Sequence, residues 1–112
     1  MGVVTNSTDK YQTCIDECNK CAQACHECIK LCLEEPDVSA RKDHIEMMMG
    51  CASICKEAAC FMEMESAHVK EICQLCAFIC DECSSSCAQF QDDHCQKCAA
   101  ECKKCASECR SM

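Results

Sequence analysis

The chain has 112 residues, 19 of them cysteine, and carries 11 basic against 19 acidic side chains for a net charge of −8. That length suits one domain, residues 1–112. The acidity excludes a phosphate backbone as partner, because no basic patch exists to neutralise it. Leu, Ile, Val and Phe together number only 16, which excludes an ordinary aliphatic core. No apolar stretch has the length of a membrane span, so no membrane partner is expected.

The first residues, MGVVTNSTDK, have no basic region followed by an apolar run and no twin arginine. Asn6 also breaks the myristoylation pattern. A cytoplasmic location is expected. Thiols are kept reduced there, so a high cysteine count points to metal rather than to disulfides. The count is odd besides, leaving one thiol over in any pairing scheme.

Helix one is expected from about Thr8 to Glu34, with Ser7 or Thr8 as cap. It holds Cys14, Cys18, Cys21, Cys25, Cys28 and Cys32, at steps of four, three, four, three and four. Those steps average 3.5 residues, the seam spacing of packed helices. Asp16, Lys20, Glu27 and Lys30 fall on the outside. Pro36, in LEEPDVS, ends the segment.

The second helix is expected over about 39–64, capped by Ser39 or Asp37. It keeps the same phase with mixed chemistry: His44, Met48, Cys51, Cys55, Ala58 and Met62. Met47, Ile54 and Phe61 flank the seam as packing residues. Gly50 is a mild cost inside a helix. Cys60 follows Cys55 by five residues and falls off the seam.

Helix three, about 66–91 with Ser66 as cap, carries Cys73, Cys76, Cys80, Cys83 and Cys87. Ile72 and Ile79 flank them. Leu75 and Phe78 point away from the thiol face, and such an apolar pair suggests a subunit contact. The fourth helix, about 92–110, carries Cys95, Cys98, Cys102, Cys105 and Cys109 on the same rhythm, with Lys97, Lys104 and Glu108 outside. Short connections make sequential helices antiparallel. The fold class is all-α: an antiparallel up-down four-helix bundle with a cysteine-lined core.

Three roles for such a core compete. As plain packing, small side chains at nearly every seam position would leave the bundle underfilled, whereas interiors are dense. Disulfides between i and i+3 or i+4 thiols on one helix reach the required twist only by distorting the helix, and bridges between helices, feasible in places, would be products of oxidation. Metal binding fits best, because i and i+4 side chains share a face. Thiolates are soft and select Cu(I), Zn(II) and iron–sulfur clusters. Zinc wants closed sets of four, and a continuous ladder offers no isolated ones. The ferredoxin run of cysteines is absent. Cu(I) accepts two or three thiolates, and a thiolate can bridge two ions. A ladder of equivalent sites reads as storage of many Cu(I) ions per chain. A Zn(II) or mixed-metal buffer, resembling a metallothionein in role, is the alternative. An enzyme is not expected. The CxxC pairs lie mid-helix and face inward, unlike those of a thiol–disulfide oxidoreductase, and no other catalytic set stands out.

The repeated CxxxCxxC pattern over four short-looped helices, from about Tyr11 to Cys109, resembles the bacterial cytosolic copper storage proteins. The resemblance implies a homotetramer of bundles, each filled with Cu(I) for copper homeostasis, with a copper chaperone as donor. It implies as ligands the nineteen cysteines: Cys14, Cys18, Cys21, Cys25, Cys28, Cys32, Cys51, Cys55, Cys60, Cys73, Cys76, Cys80, Cys83, Cys87, Cys95, Cys98, Cys102, Cys105 and Cys109. It also implies a mouth lined by His or Met at one bundle end. The topology gathers Cys32, His44, Met48, Cys87, His94 and Cys95 at one end, so His44, Met48 and His94 are the expected admitting ligands. The opposite end offers Met62, Met64 and His68.

Overall fold

The computed structural model describes residues 1–112. Four α-helices follow in order: α1 Gln12–Leu33, α2 Lys42–Glu63, α3 Val69–Ala88 and α4 Asp93–Arg110. Each packs on two neighbours, α1 on α2 and α4, and α3 on α2 and α4. The rod measures 47 × 23 × 17 Å. Diagonal helices meet across the axis only through the side chains that fill it.

The seam rhythm decides what those side chains are. The buried residues of α1 include all six of its cysteines, and α3 and α4 each bury all five of theirs. On α2 the in-phase set His44, Met48, Cys51, Cys55, Ala58 and Met62 is buried throughout. Met47, Ile54, Ile72 and Ile79 pack against this core from its edges. Leu75 and Phe78 stand outside it, 49% and 59% exposed.

The helix starts differ from the sequence expectation. None of the four N-caps makes a side-chain capping bond. Short 3₁₀ turns, Asp9–Tyr11 and Val38–Arg41, precede α1 and α2 instead. Their i→i+3 bonds, such as Tyr11 N–H to Thr8 O and Ala40 N–H to Asp37 O, satisfy backbone groups that a capping serine would serve. Ser66, three residues ahead of α3, accepts from the His68 N–H at 3.1 Å rather than capping the helix. Asp92 precedes α4, but its carboxylate turns to Arg41.

α2 ends on a left-handed residue, Glu65 at φ 51°. Ser66 then donates its N–H back to the Phe61 carbonyl at 2.9 Å, the bond pattern that closes a helix by reversing the chain. Pro36 lies in the α1–α2 connection, where it interrupts no helical bond.

Candidate metal centre

Eighteen of the nineteen cysteines are buried, and none is in a disulfide. The exception is Cys60, which is exposed on α2. The five-residue step from Cys55 rotates it off the seam, as the spacing implied, and it stands outside the column.

Inside, the sulfurs converge from facing helices. Cys14 and Cys18 of α1 lie 3.7 and 3.6 Å from Cys109 of α4. Cys21 lies 3.8 Å from Cys102. On the opposite side of the bundle, Cys51 and Cys55 of α2 lie 3.7 and 3.6 Å from Cys80 of its neighbour α3. Towards the end where α1 finishes and α4 begins, Cys28 and Cys32 lie 3.8 and 3.7 Å from Cys95. These are contacts between thiols, well beyond the roughly 2.05 Å of a sulfur–sulfur bond. An ion bonded to two such sulfurs at about 2.3 Å would subtend about 100–120° between them, an ordinary tetrahedral-to-trigonal angle.

The thiols form a chain of overlapping sets, each with its ligand atoms within 4.8 Å of one another. They include Cys14–Cys73–Cys109, Cys18–Cys76–Cys105–Cys109, Cys21–Cys55–Cys80–Cys105 and Cys21–Cys25–Cys51–Cys102. A further set is Cys28–Cys32–His94–Cys95. Cys109, Cys105 and Cys21 each belong to two sets. Separate closed zinc sites would not share ligands in this way. Bridging thiolates do.

Without metal the thiols share protons along the column, some pushed up and their hydrogen-bonded partners, such as Cys21, pushed down. Many thiolates at van der Waals contact cannot all be charged in a dry core. Cys102 is pushed up by hydrogen bonding with Cys21 and Cys25 and by burial. At the α4 end, burial, and then the Cys32 thiol, push Cys95 up to about 12.

The structure brings His94 and His44 to the end that holds Cys28, Cys32 and Cys95. His94 Nδ1 lies 3.5 Å from Cys28 Sγ and 3.6 Å from Cys95 Sγ. Its Nε2 faces Glu35 at 3.4 Å. His44 Nε2 lies 4.0 Å from Cys95 Sγ, and its Nδ1 meets Ser86 Oγ at 2.8 Å. Burial lowers the His44 pKa and keeps it a neutral donor. Met48 is buried one turn further along α2. At the opposite end His68 is 71% exposed beside Glu71, and Met64 is 70% exposed, so neither faces the thiols.

Arg41 is the residue that sequence reasoning missed. Its side chain is 6% exposed, with Nη1 3.5 Å from Cys32 Sγ and 3.7 Å from Cys95 Sγ. Asp92 at 2.5 Å and Asp37 at 2.8 Å hold the guanidinium, and Asp92 above all keeps it charged despite burial. The guanidinium carbon sits 4.6 Å from the centre of the Phe90 ring, on which His44 also stacks. The signal was present: three residues back from His44 along the α2 seam is Arg41.

A second buried charge lies between α1 and α4. Glu17, 6% exposed, approaches Lys104 at 3.5 Å, and Glu101 approaches Lys20 at 3.6 Å. One oxygen of each carboxyl group is buried without a partner. Burial, and then the neighbouring Glu101, push Glu17 up to about 7.

The chain matches the family model described as copper storage protein over residues 7–112. Its fold superposes on the Cu(I)-bound copper storage protein BsCsp3 with a TM-score of 0.87 at 42% identity, covering 91% of this chain and 96% of that one. The apo copper storage protein 3 of Bacillus subtilis gives 0.85 at 42% identity, over 90% and 96%. A cytosolic copper storage protein of Streptomyces lividans, holding five coppers, gives 0.88 at 32% identity, over 93% and 92%. No curated protein sequence matches the chain.

Proposed function

The chain belongs to the copper storage protein family, and from that premise we propose how its own residues do the work. It binds and stores Cu(I) through cysteine thiolates inside the bundle. The observation that carries this is the run of overlapping thiol sets along the axis. Each thiol that becomes a ligand gives up its proton, so loading exchanges protons for copper. Shared sulfurs let the number of ions grow towards the number of thiols. The Cu(I)-bound and copper-loaded relatives disfavour the zinc-buffer alternative.

The eighteen buried cysteines are the proposed ligands, with His94, His44 and Met48 serving the admitting end. Cys60, exposed on α2, is left out. The protein acts without catalysis, as a reservoir within one domain of residues 1–112. Its proposed compartment is the cytosol, as for the Streptomyces relative. No helix is long and apolar enough to cross a membrane. Copies assemble as a homotetramer, with the exposed Leu75 and Phe78 as contact residues on α3, and a copper chaperone supplies the ion.

The test is an anaerobic titration of reduced protein with Cu(I) against a strong chromogenic Cu(I) chelator. Many ions per chain, with the helical circular dichroism retained, is the expected result. Uptake of only a few ions would return the argument to zinc.

A further inference from the structure

One charged side chain reaches the Cys28–Cys32–His94–Cys95 set and is no ligand to it. Arg41 ends the 3₁₀ turn Val38–Arg41, at the start of α2, and its side chain is 6% exposed. Its Nε donates to Asp37 at 2.8 Å, and its Nη1 donates to Asp92 at 2.5 Å. Nη1 carries a second hydrogen. That hydrogen has two acceptors in reach, Cys32 Sγ at 3.5 Å and Cys95 Sγ at 3.7 Å, and the two sulfurs are 3.7 Å apart.

An ion pair that only clasped the end of the bundle would need the two carboxylates and nothing else. Here the same nitrogen also reaches a sulfur of α1 and a sulfur of α4. Phe90 fixes it there. The guanidinium carbon lies 4.6 Å from the ring centre, and His44, 4.0 Å from Cys95 Sγ, stacks on that ring at 4.7 Å. Arg41 donates to neither Cys28 Sγ nor His94 Nδ1, which face each other at 3.5 Å. Those two ligand atoms stay free for an arriving ion.

A sulfur accepts a hydrogen bond more strongly as a copper-bound thiolate than as a thiol, because it then carries charge. The bonds from Arg41 therefore strengthen as the set loads. Removing a group that holds metal ligands from behind commonly costs about 10–100-fold in affinity.

We infer that Arg41 is a positioning residue for this set: it holds Cys32 and Cys95 together through Nη1 and raises the affinity for the copper they share, without touching the ion. The inference rests on the storage reading and adds a residue that is not a ligand. The net charge of Arg41 is not what acts, since Asp37 and Asp92 balance it. The placed N–H donor is.

The test is withdrawal of Cu(I) from the loaded, reduced full chain by graded bathocuproine disulfonate, with copper per chain counted at each step. In Arg41→Gln one ion per chain should be held about 10–100-fold more weakly than in the parent, with the rest unchanged. That variant also breaks the clasp, so its apo form should melt lower. Arg41→Lys keeps a cation between Asp37 and Asp92 but replaces the planar fork by a single ammonium. It should restore the melting temperature and not the affinity, and it decides alone if Arg41→Gln does not fold. A parental withdrawal profile in either variant, or a loosening of every ion alike, would overturn the inference and leave Arg41 a clasp between the α1–α2 and α3–α4 connections. Copper per chain at saturation of the parent tests storage, and the single weakened ion tests Arg41, so the two readings fail separately.

Discussion

The two ends of the thiol column are built from the same sulfurs and finished with opposite chemistry. The end holding Cys28, Cys32 and Cys95 brings together two imidazoles, a guanidinium and the carboxylates of Asp37, Asp92 and Glu35. The end holding Cys14, Cys73 and Cys109 is finished by Met62, fully buried, and by the partly buried Tyr11 and Met112. Its one histidine, His68, looks out to solvent. A column that only filled space would have no reason for this polarity. One end offers imidazole ligands and ion pairs, and the other is closed by apolar side chains.

The largest expected effect ignores the polarity and tests the column as a whole. One site held at a thousand times its Kd adds about 4 kcal/mol to the folded state. In a chain of this size 1 kcal/mol moves Tm by about 4–8 °C. Loading several sets should therefore raise Tm by more than about 20 °C. Calorimetry of apo and loaded protein checks this, and coincident melts would break the column model at both ends.

The next effect sharpens the contrast. His94→Ala should slow copper uptake several-fold while removing at most one ion from the plateau. His68→Ala should change neither. Equal slowing in both variants would erase the assigned polarity.

A smaller effect belongs to the α1–α4 seam behind the sealed half. The folded-state pKa of Glu17, about 7, lies above its ordinary value of 4.5. The folded chain therefore binds more protons than the unfolded chain between those values, and stability falls as pH rises through that window. Glu17→Gln removes the buried charge. It should stabilise the apo protein at pH 8 by on the order of 1 kcal/mol and change little at pH 4. A denaturant titration at each pH reads the difference, and an equal effect at both would sink the assignment.

The smallest effect is a control that touches neither end. Gly50 is helical and exposed, with open space where a Cβ would stand. Gly50→Ala should add about 0.5–1 kcal/mol without changing uptake. Thermal melts and loading curves check both halves of that statement.

The bundle was legible because one periodic signal governed everything. The three-four rhythm of cysteine implied helices, set their inner faces and fixed which end collects His44 and His94. The off-phase step to Cys60 already marked it as a misfit, and the structure turns it outward. Helix starts were less legible, because 3₁₀ turns did what Ser7 and Ser39 were expected to do, and Ser66 serves the His68 N–H ahead of α3 instead. Arg41 was hidden by its type. An arginine beside Lys42 reads as solvated surface until Asp37, from the preceding loop, and Asp92, from before α4, are seen to fold over it. Glu17 was hidden for the same reason. Its burial depends on Glu101 and Lys104, which are distant in sequence and adjacent only across the helix interface.

The sharing of Cys21, Cys105 and Cys109 between successive sets has a consequence for time as well as for capacity. An ion can move one step along the axis by exchanging sulfurs with its neighbours, and at no point need it be released bare into water. With admission proposed at the His94 end, such a column would behave as a stack rather than a pool: the ion admitted last would be the first available for withdrawal, and those resting near Cys14 and Cys73 would be the oldest and the slowest to leave.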